Sequence, residues 1–145
     1  MPPRVDFYVS EEAGDAARMR LACRIAEKAC LARQKVLVWS DDPAALPRLD
    51  ELLWTFGDGS FVPHDIVTTA GAVCEAPVAL TTGALPKDHA DVLINLGNAV
   101  PPFFETFARV AEFLDARPEV RAAGRERFKI YRAKAIEPAT HNVGA

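Results

Sequence analysis

Short apolar runs of strand length alternate along this chain with longer stretches of helical spacing. Val5-Asp6-Phe7-Tyr8-Val9 is rich in β-branched and aromatic residues and reads as an opening strand. Ser10 to Asp15 is a polar turn, with Asp15 placed to cap the element that follows. From Ala16 to Arg33, Met19, Cys23, Ala26 and Cys30 recur at spacings of four, three and four, which predicts a helix with one apolar face. Its cations Arg18, Arg20, Arg24 and Lys28 are assigned mostly to the solvent side. Lys35-Val36-Leu37-Val38-Trp39 is then almost continuously apolar, as suits an interior strand of a parallel sheet covered on both faces. Strand, helix and strand in that order make a βαβ opening.

Ser40-Asp41-Asp42-Pro43 is a helix start, with an acidic cap and proline in the first turn. The helix predicted from Ala44 to about Phe56 buries Leu46, Leu49 and Leu53, with Trp54 near its end. Gly57-Asp58-Gly59-Ser60 breaks it. Ser60 to Cys74 shows no clear period and is expected to be a long loop with extended pieces. Residues 77–81 and 91–96 read as further strands. A short helix is expected after Pro101-Pro102, carrying Phe103, Phe104 and Phe107, and Ala108 to Phe113 is expected to end in a last strand. Pro118 opens a final helix to about Lys134, and the tail from Glu137 is expected to be loose. The chain is thus expected to be one three-layer α/β domain over residues 1–136, with a mostly parallel sheet and a flexible segment at 137–145.

Composition narrows the class. The chain has 145 residues, half of them hydrophobic and 26% charged, which suits one soluble domain and excludes disorder, collagen-like repeats and a disulfide scaffold. Apolar runs stay far below the roughly 20 residues that span a bilayer. With no basic-then-apolar opening and three cysteines that cannot all pair, the expected location is the cytoplasm, away from membranes. The loop after the first strand, Val9-Ser10-Glu11-Glu12-Ala13-Gly14-Asp15, lacks both glycine-rich phosphate signatures, and its three acids would repel a phosphate. No nucleotide-binding loop is therefore expected. Cys23, Cys30 and Cys74 lack metal-ligand spacing and read as small buried hydrophobes. His64, His89 and His141 are scattered, and no nucleophile elbow occurs. The chain is expected to be non-catalytic, without metal or cofactor.

Charge singles out the last helix. Arg117 to Lys134 holds seven basic residues against two acids, in a chain whose net charge is −3. At about 100° per residue, Arg121, Arg125 and Arg132 share one face with Phe128 on its edge and Lys129 just beyond. Val120, Ala123, Ile130 and Tyr131 lie opposite and can face the core. A solvated basic face is one reading. Guanidinium groups beside an aromatic ring also suit a ligand with a carboxylate and an apolar side chain, such as an acidic peptide carboxy terminus. A single-stranded nucleic acid, with phosphate and a stacking base, is the rival fit, disfavoured by the acidic remainder of the chain. A second candidate surface joins Trp54 to Phe61-Val62-Pro63, either as core filler or as interface anchors.

Taken in order, the Phe7-Tyr8 strand, Leu49-Asp50-Glu51 with Leu53-Trp54, Ser60-Phe61-Val62-Pro63-His64, the Asp91-Val92-Leu93-Ile94 strand and Arg125-Glu126-Arg127-Phe128-Lys129-Ile130-Tyr131-Arg132 resemble the chi subunits of bacterial DNA polymerase III. The resemblance implies a Rossmann-like fold without nucleotide chemistry. It implies an adaptor within a DNA-directed DNA polymerase complex that joins the clamp-loader assembly, through the psi subunit, to the acidic carboxy-terminal tail of single-stranded DNA-binding protein. It places tail binding on Arg121, Arg125, Phe128 and Lys129, with Arg132 as an auxiliary. Psi binding falls on Trp54 and Phe61, with Val62 and Pro63 beside them. This sequence departs from better-known members in carrying Phe128 in place of a tyrosine and Arg121 where lysine is common.

Overall fold

A computed structural model describes residues 2–57 and 62–143. The strands are β1 (Arg4–Ser10), β2 (Val36–Trp39), β3 (His64–Ile66), β4 (Val78–Thr81), β5 (Val92–Asn95), β6 (Arg109–Leu114) and β7 (Ala139–Val143). The helices are α1 (Asp15–Leu31), α2 (Ala45–Thr55) and α3 (Pro118–Ala133), and a single 3-10 turn spans Phe104–Thr106. Among the described residues the strands form one sheet in the order β3-β4-β2-β5-β6-β1-β7, every pairing parallel. No helix among the described residues is long and apolar enough to cross a membrane.

Alternation along the strands divides the core into two layers. Val36, Val38, Leu80, Ile94 and Phe113 face α1 and α2, while Phe7, Leu37, Leu93, Val110 and Leu114 face α3 and the 3-10 turn. This is the expected three-layer Rossmann-like arrangement, with a wholly parallel sheet.

Local chemistry sets the helix starts and corrects both expected acidic caps. Asp42 Oδ1 accepts the Ala44 amide at 3.0 Å in the turn before α2, but the cap of α2 is Ala44 and no side chain caps it, so the expected acidic cap is not made. At α1 the cap is Gly14, held at φ 114, a conformation glycine adopts freely. Asp15 is the first helical residue, and its carboxylate meets Arg117 at 2.8 Å instead of capping. Arg18, assigned to solvent by its charge, is buried, donating from Nε to the Phe113 carbonyl at 3.1 Å and from Nη2 to that of Leu96 at 3.4 Å. Cys23 is buried in the same layer, and burial pushes its thiol up to about 12.

The carboxy-terminal segment differs from expectation. Residues 139–143 form β7 and add to β1 in parallel, with Phe7 opposite Thr140 and Tyr8 opposite His141. The His141 ring stacks on Tyr8 at 4.9 Å, and its Nε2 lies 2.9 Å from Asp6 Oδ1. These contacts order a polar segment whose own composition predicts a loose tail.

Asp115, at the end of β6, gives a pH prediction. Burial opposes its charge, but hydrogen bonds from the Arg117 side chain and backbone outweigh that and hold the carboxyl below its ordinary 3.8. The bonds from Arg117 Nη2 and backbone N are 2.7 and 2.9 Å. A carboxyl lower in the folded than in the unfolded chain stabilises the fold above pH 3.8 and loses that contribution as pH falls through its folded value. Urea midpoints are expected to fall on acidification below about pH 4, and by less in Asp115→Asn relative to its own neutral value.

Candidate functional site

The orientation of α3 decides which side chains it can offer. Its buried stripe is Gly124, Arg127 and Tyr131, at spacings of three and four. A Cβ on Gly124 would sit 2.4 Å from Leu114 Cδ2, so glycine lets the helix lie close on β6. Arg127 is 2% exposed, and its Nε donates to Glu112 Oε1 at 2.9 Å. The other carboxylate oxygen of Glu112 accepts from Tyr131 Oη at 2.6 Å and from Asn95 Nδ2 at 2.9 Å. Arg127 Nη1 donates to the Asn98 carbonyl at 3.1 Å, whereas Nη2 has no hydrogen-bond partner among the described residues. Burial pushes the Glu112 carboxyl up, while Arg127, Tyr131 and Asn95 pull it back toward the charged form. Burial and the neighbouring Glu112 charge together raise the Tyr131 phenol well above its usual range.

Helical spacing then turns residues 125, 128, 129 and 132 away from this cluster. Arg125, Phe128, Lys129 and Arg132 line one hollow of about 390 Å³, whose floor includes Phe7, Val9, Leu114 and Thr140. The Phe128 ring is half-buried and tilted against Phe7, with centroids 5.4 Å apart. Lys129 Nζ lies 3.2 Å from Glu126, and Arg132 Nε lies 3.4 Å from Glu137. Arg125 is exposed and has neither an ion-pair nor a hydrogen-bond partner among the described residues. Arg121 stands apart from the hollow, its Nε donating to the Asp115 carbonyl at 3.1 Å. Ile130, expected to face the core, is 44% exposed because Gly124 and Arg127 take the inward side. An apolar floor with cations at its rim can hold a carboxylate attached to an apolar group.

Leu114 contributes to the floor, so Gly124→Ala tests the close approach. Displacing Leu114 should cost about 1–3 kcal/mol, offset by about 1 kcal/mol of improved helix propensity. The expected result is a net stability loss of up to about 2 kcal/mol in thermal unfolding.

The second candidate surface is reduced. Trp54, at the end of α2, is 50% exposed, with its ring 4.7 Å from that of His64. The His64 Nδ1 lies 2.6 Å from the Val62 carbonyl, and Nε2 lies 2.9 Å from Asp50 Oδ1. Those contacts tie the start of β3 to α2. Pro63 is half-buried and Ile66 is 42% exposed. Val62, left by the sequence as core filler or interface anchor, is fully buried in the core layer beneath α2, which is the core-filler outcome and not the anchor the resemblance implied. Phe61 lies outside the described residues.

A third depression, about 300 Å³, lies at the carboxyl edge of the sheet, where open α/β folds often bind ligands. Asp15, Asp42 and Glu119 stand there at or beside the starts of the three helices. Negative charge at a helix amino terminus is thus supplied by the chain itself.

Known proteins match this chain over nearly its whole length. The family model for DNA polymerase III chi subunit, HolC, matches residues 1–139. A Pseudomonas aeruginosa protein named DNA polymerase III subunit chi is 41% identical over 140 residues, covering 97% of this chain and 96% of its own. Proteins of the same name from Escherichia coli and Haemophilus influenzae are 32% and 28% identical, covering 82% and 99% of this chain and 81% and 100% of their own. With the match running through β1, the buried stripe of α3 and the hollow beside it, the chain belongs to the DNA polymerase III chi subunit family.

Proposed function

We propose that this chain is a non-catalytic adaptor of DNA replication that grips the acidic carboxy-terminal tail of single-stranded DNA-binding protein in the hollow beside α3. The observation that carries the reading is the placement of Arg125, unpaired among the described residues, at the rim of an apolar floor beside the Phe128 ring. In this reading Arg125 takes the terminal carboxylate, Lys129 and Arg132 meet the acids that precede it, and Phe128 walls the last side chain. Arg121 contributes long-range charge from outside the hollow. At the opposite end of the sheet, the Trp54 face with Pro63 docks the psi subunit and so joins the tail to the clamp-loader assembly. Its place is the cytoplasm, with the replication machinery.

The test is a calorimetric titration with an acidic peptide ending in Phe, beside the same peptide lacking its last two residues. Binding in the micromolar class, about −8 kcal/mol, is expected for the first and loss of binding for the second. Equal affinity for both, or binding of neither, would refute the reading.

A further inference from the structure

We propose that Glu126 and Glu137 set the charge specificity of the α3 hollow by occupying two of its three rim cations. This inference rests on the peptide-binding reading above. Lys129 Nζ lies 3.2 Å from Glu126 Oε1, one helical turn back along α3. Arg132 Nε lies 3.4 Å from Glu137 Oε2, just before the strand that brings Thr140 into the floor. Arg125 alone of the three has no such partner among the described residues.

Both bridges are exposed and therefore weak, so an incoming carboxylate can replace either one. The released glutamate stays tethered beside the ligand as a like charge and opposes it. A peptide thus gains little from acids placed against Lys129 and Arg132. Its terminal carboxylate at Arg125 meets no internal competitor among the described residues. The site reads a free carboxy terminus next to an apolar side chain first and the flanking charge second.

Glu126→Gln and Glu137→Gln, singly and together, separate these contributions. Each would be titrated with two peptides that share the same apolar last residue and free carboxylate, one with an acidic flank and one with a neutral flank. Each substitution is expected to tighten the acidic-flank peptide by about two- to fivefold. The neutral-flank peptide should be unchanged, and the salt dependence for the acidic one should steepen. Both positions are exposed, so an unchanged melting temperature should accompany the shift. Equal responses of the two peptides, or no response in the double variant, would overturn the inference while leaving the peptide reading standing. Failure of the unaltered chain to bind either peptide would overturn the peptide reading and this inference with it.

Discussion

Arg127→Ala is expected to destabilise the fold by about 3–5 kcal/mol, the usual cost of removing one member of a buried ion pair. Glu112 is fully buried and has Arg127 as its sole cationic partner within salt-bridge distance among the described residues. Without the guanidinium, the carboxylate must either stay charged in an apolar layer or take up a proton. The truncation also leaves an unfilled volume between α3 and β6. Set against a typical total of about 5–15 kcal/mol, the loss should be plain in a urea melt. Arg127→Met combined with Glu112→Gln removes both charges and keeps an oxygen for Tyr131 and Asn95. The pair of changes should cost less than Arg127→Ala alone. A loss below about 1 kcal/mol for the single variant would mean that water reaches the pair in solution.

Arg125→Ala is expected to weaken the tail peptide by about 1.5–3 kcal/mol, roughly ten- to hundredfold, through loss of one charge-assisted contact. Its side chain is exposed and unpaired among the described residues, so stability should move by no more than about 0.5 kcal/mol. Arg125→Lys keeps the charge but not the planar fork, and should fall between the two. Unchanged titration curves for Arg125→Ala would remove the carboxylate site from α3.

Hydrophobic period was enough to find α1, α2, β2 and β5, because each buries residues that read as apolar. It failed where the inward residue is polar. The buried stripe of α3 is Gly124, Arg127 and Tyr131, so the apolar period finds Tyr131 but brings Val120, Ala123 and Ile130 with it in place of Gly124 and Arg127. Arg127 reads as one more surface cation until Glu112, fifteen residues earlier on another element, is placed beside it. Arg18 is hidden the same way, its partners being backbone carbonyls of β6 and the β5 end. Ala139–Val143 escapes notice because an edge strand of exposed and half-exposed residues carries no apolar signature. Helical geometry grouped Arg125, Phe128, Lys129 and Arg132, but it put Arg121 with them, and Arg121 turns to the Asp115 carbonyl outside the hollow. The floor of the hollow was not legible this way, since Phe7, Val9 and Thr140 arrive from strands at the two ends of the chain.

The place of β1 in the sheet has a kinetic consequence. This strand precedes the other described strands in sequence, yet its neighbours in the sheet are β6 and β7, which begin at Arg109 and Ala139. An emerging chain can pair β2 with β4 and β5 early, but β1 must wait beside them with both edges open until β6 and β7 have left the ribosome. Loop closure over such separations is slow, and unpaired strand edges are exposed to wrong partners meanwhile. A nascent chain stalled before residue 109 therefore lacks the partners that cover Phe7 and Tyr8, and is expected to be a better chaperone client than the finished protein.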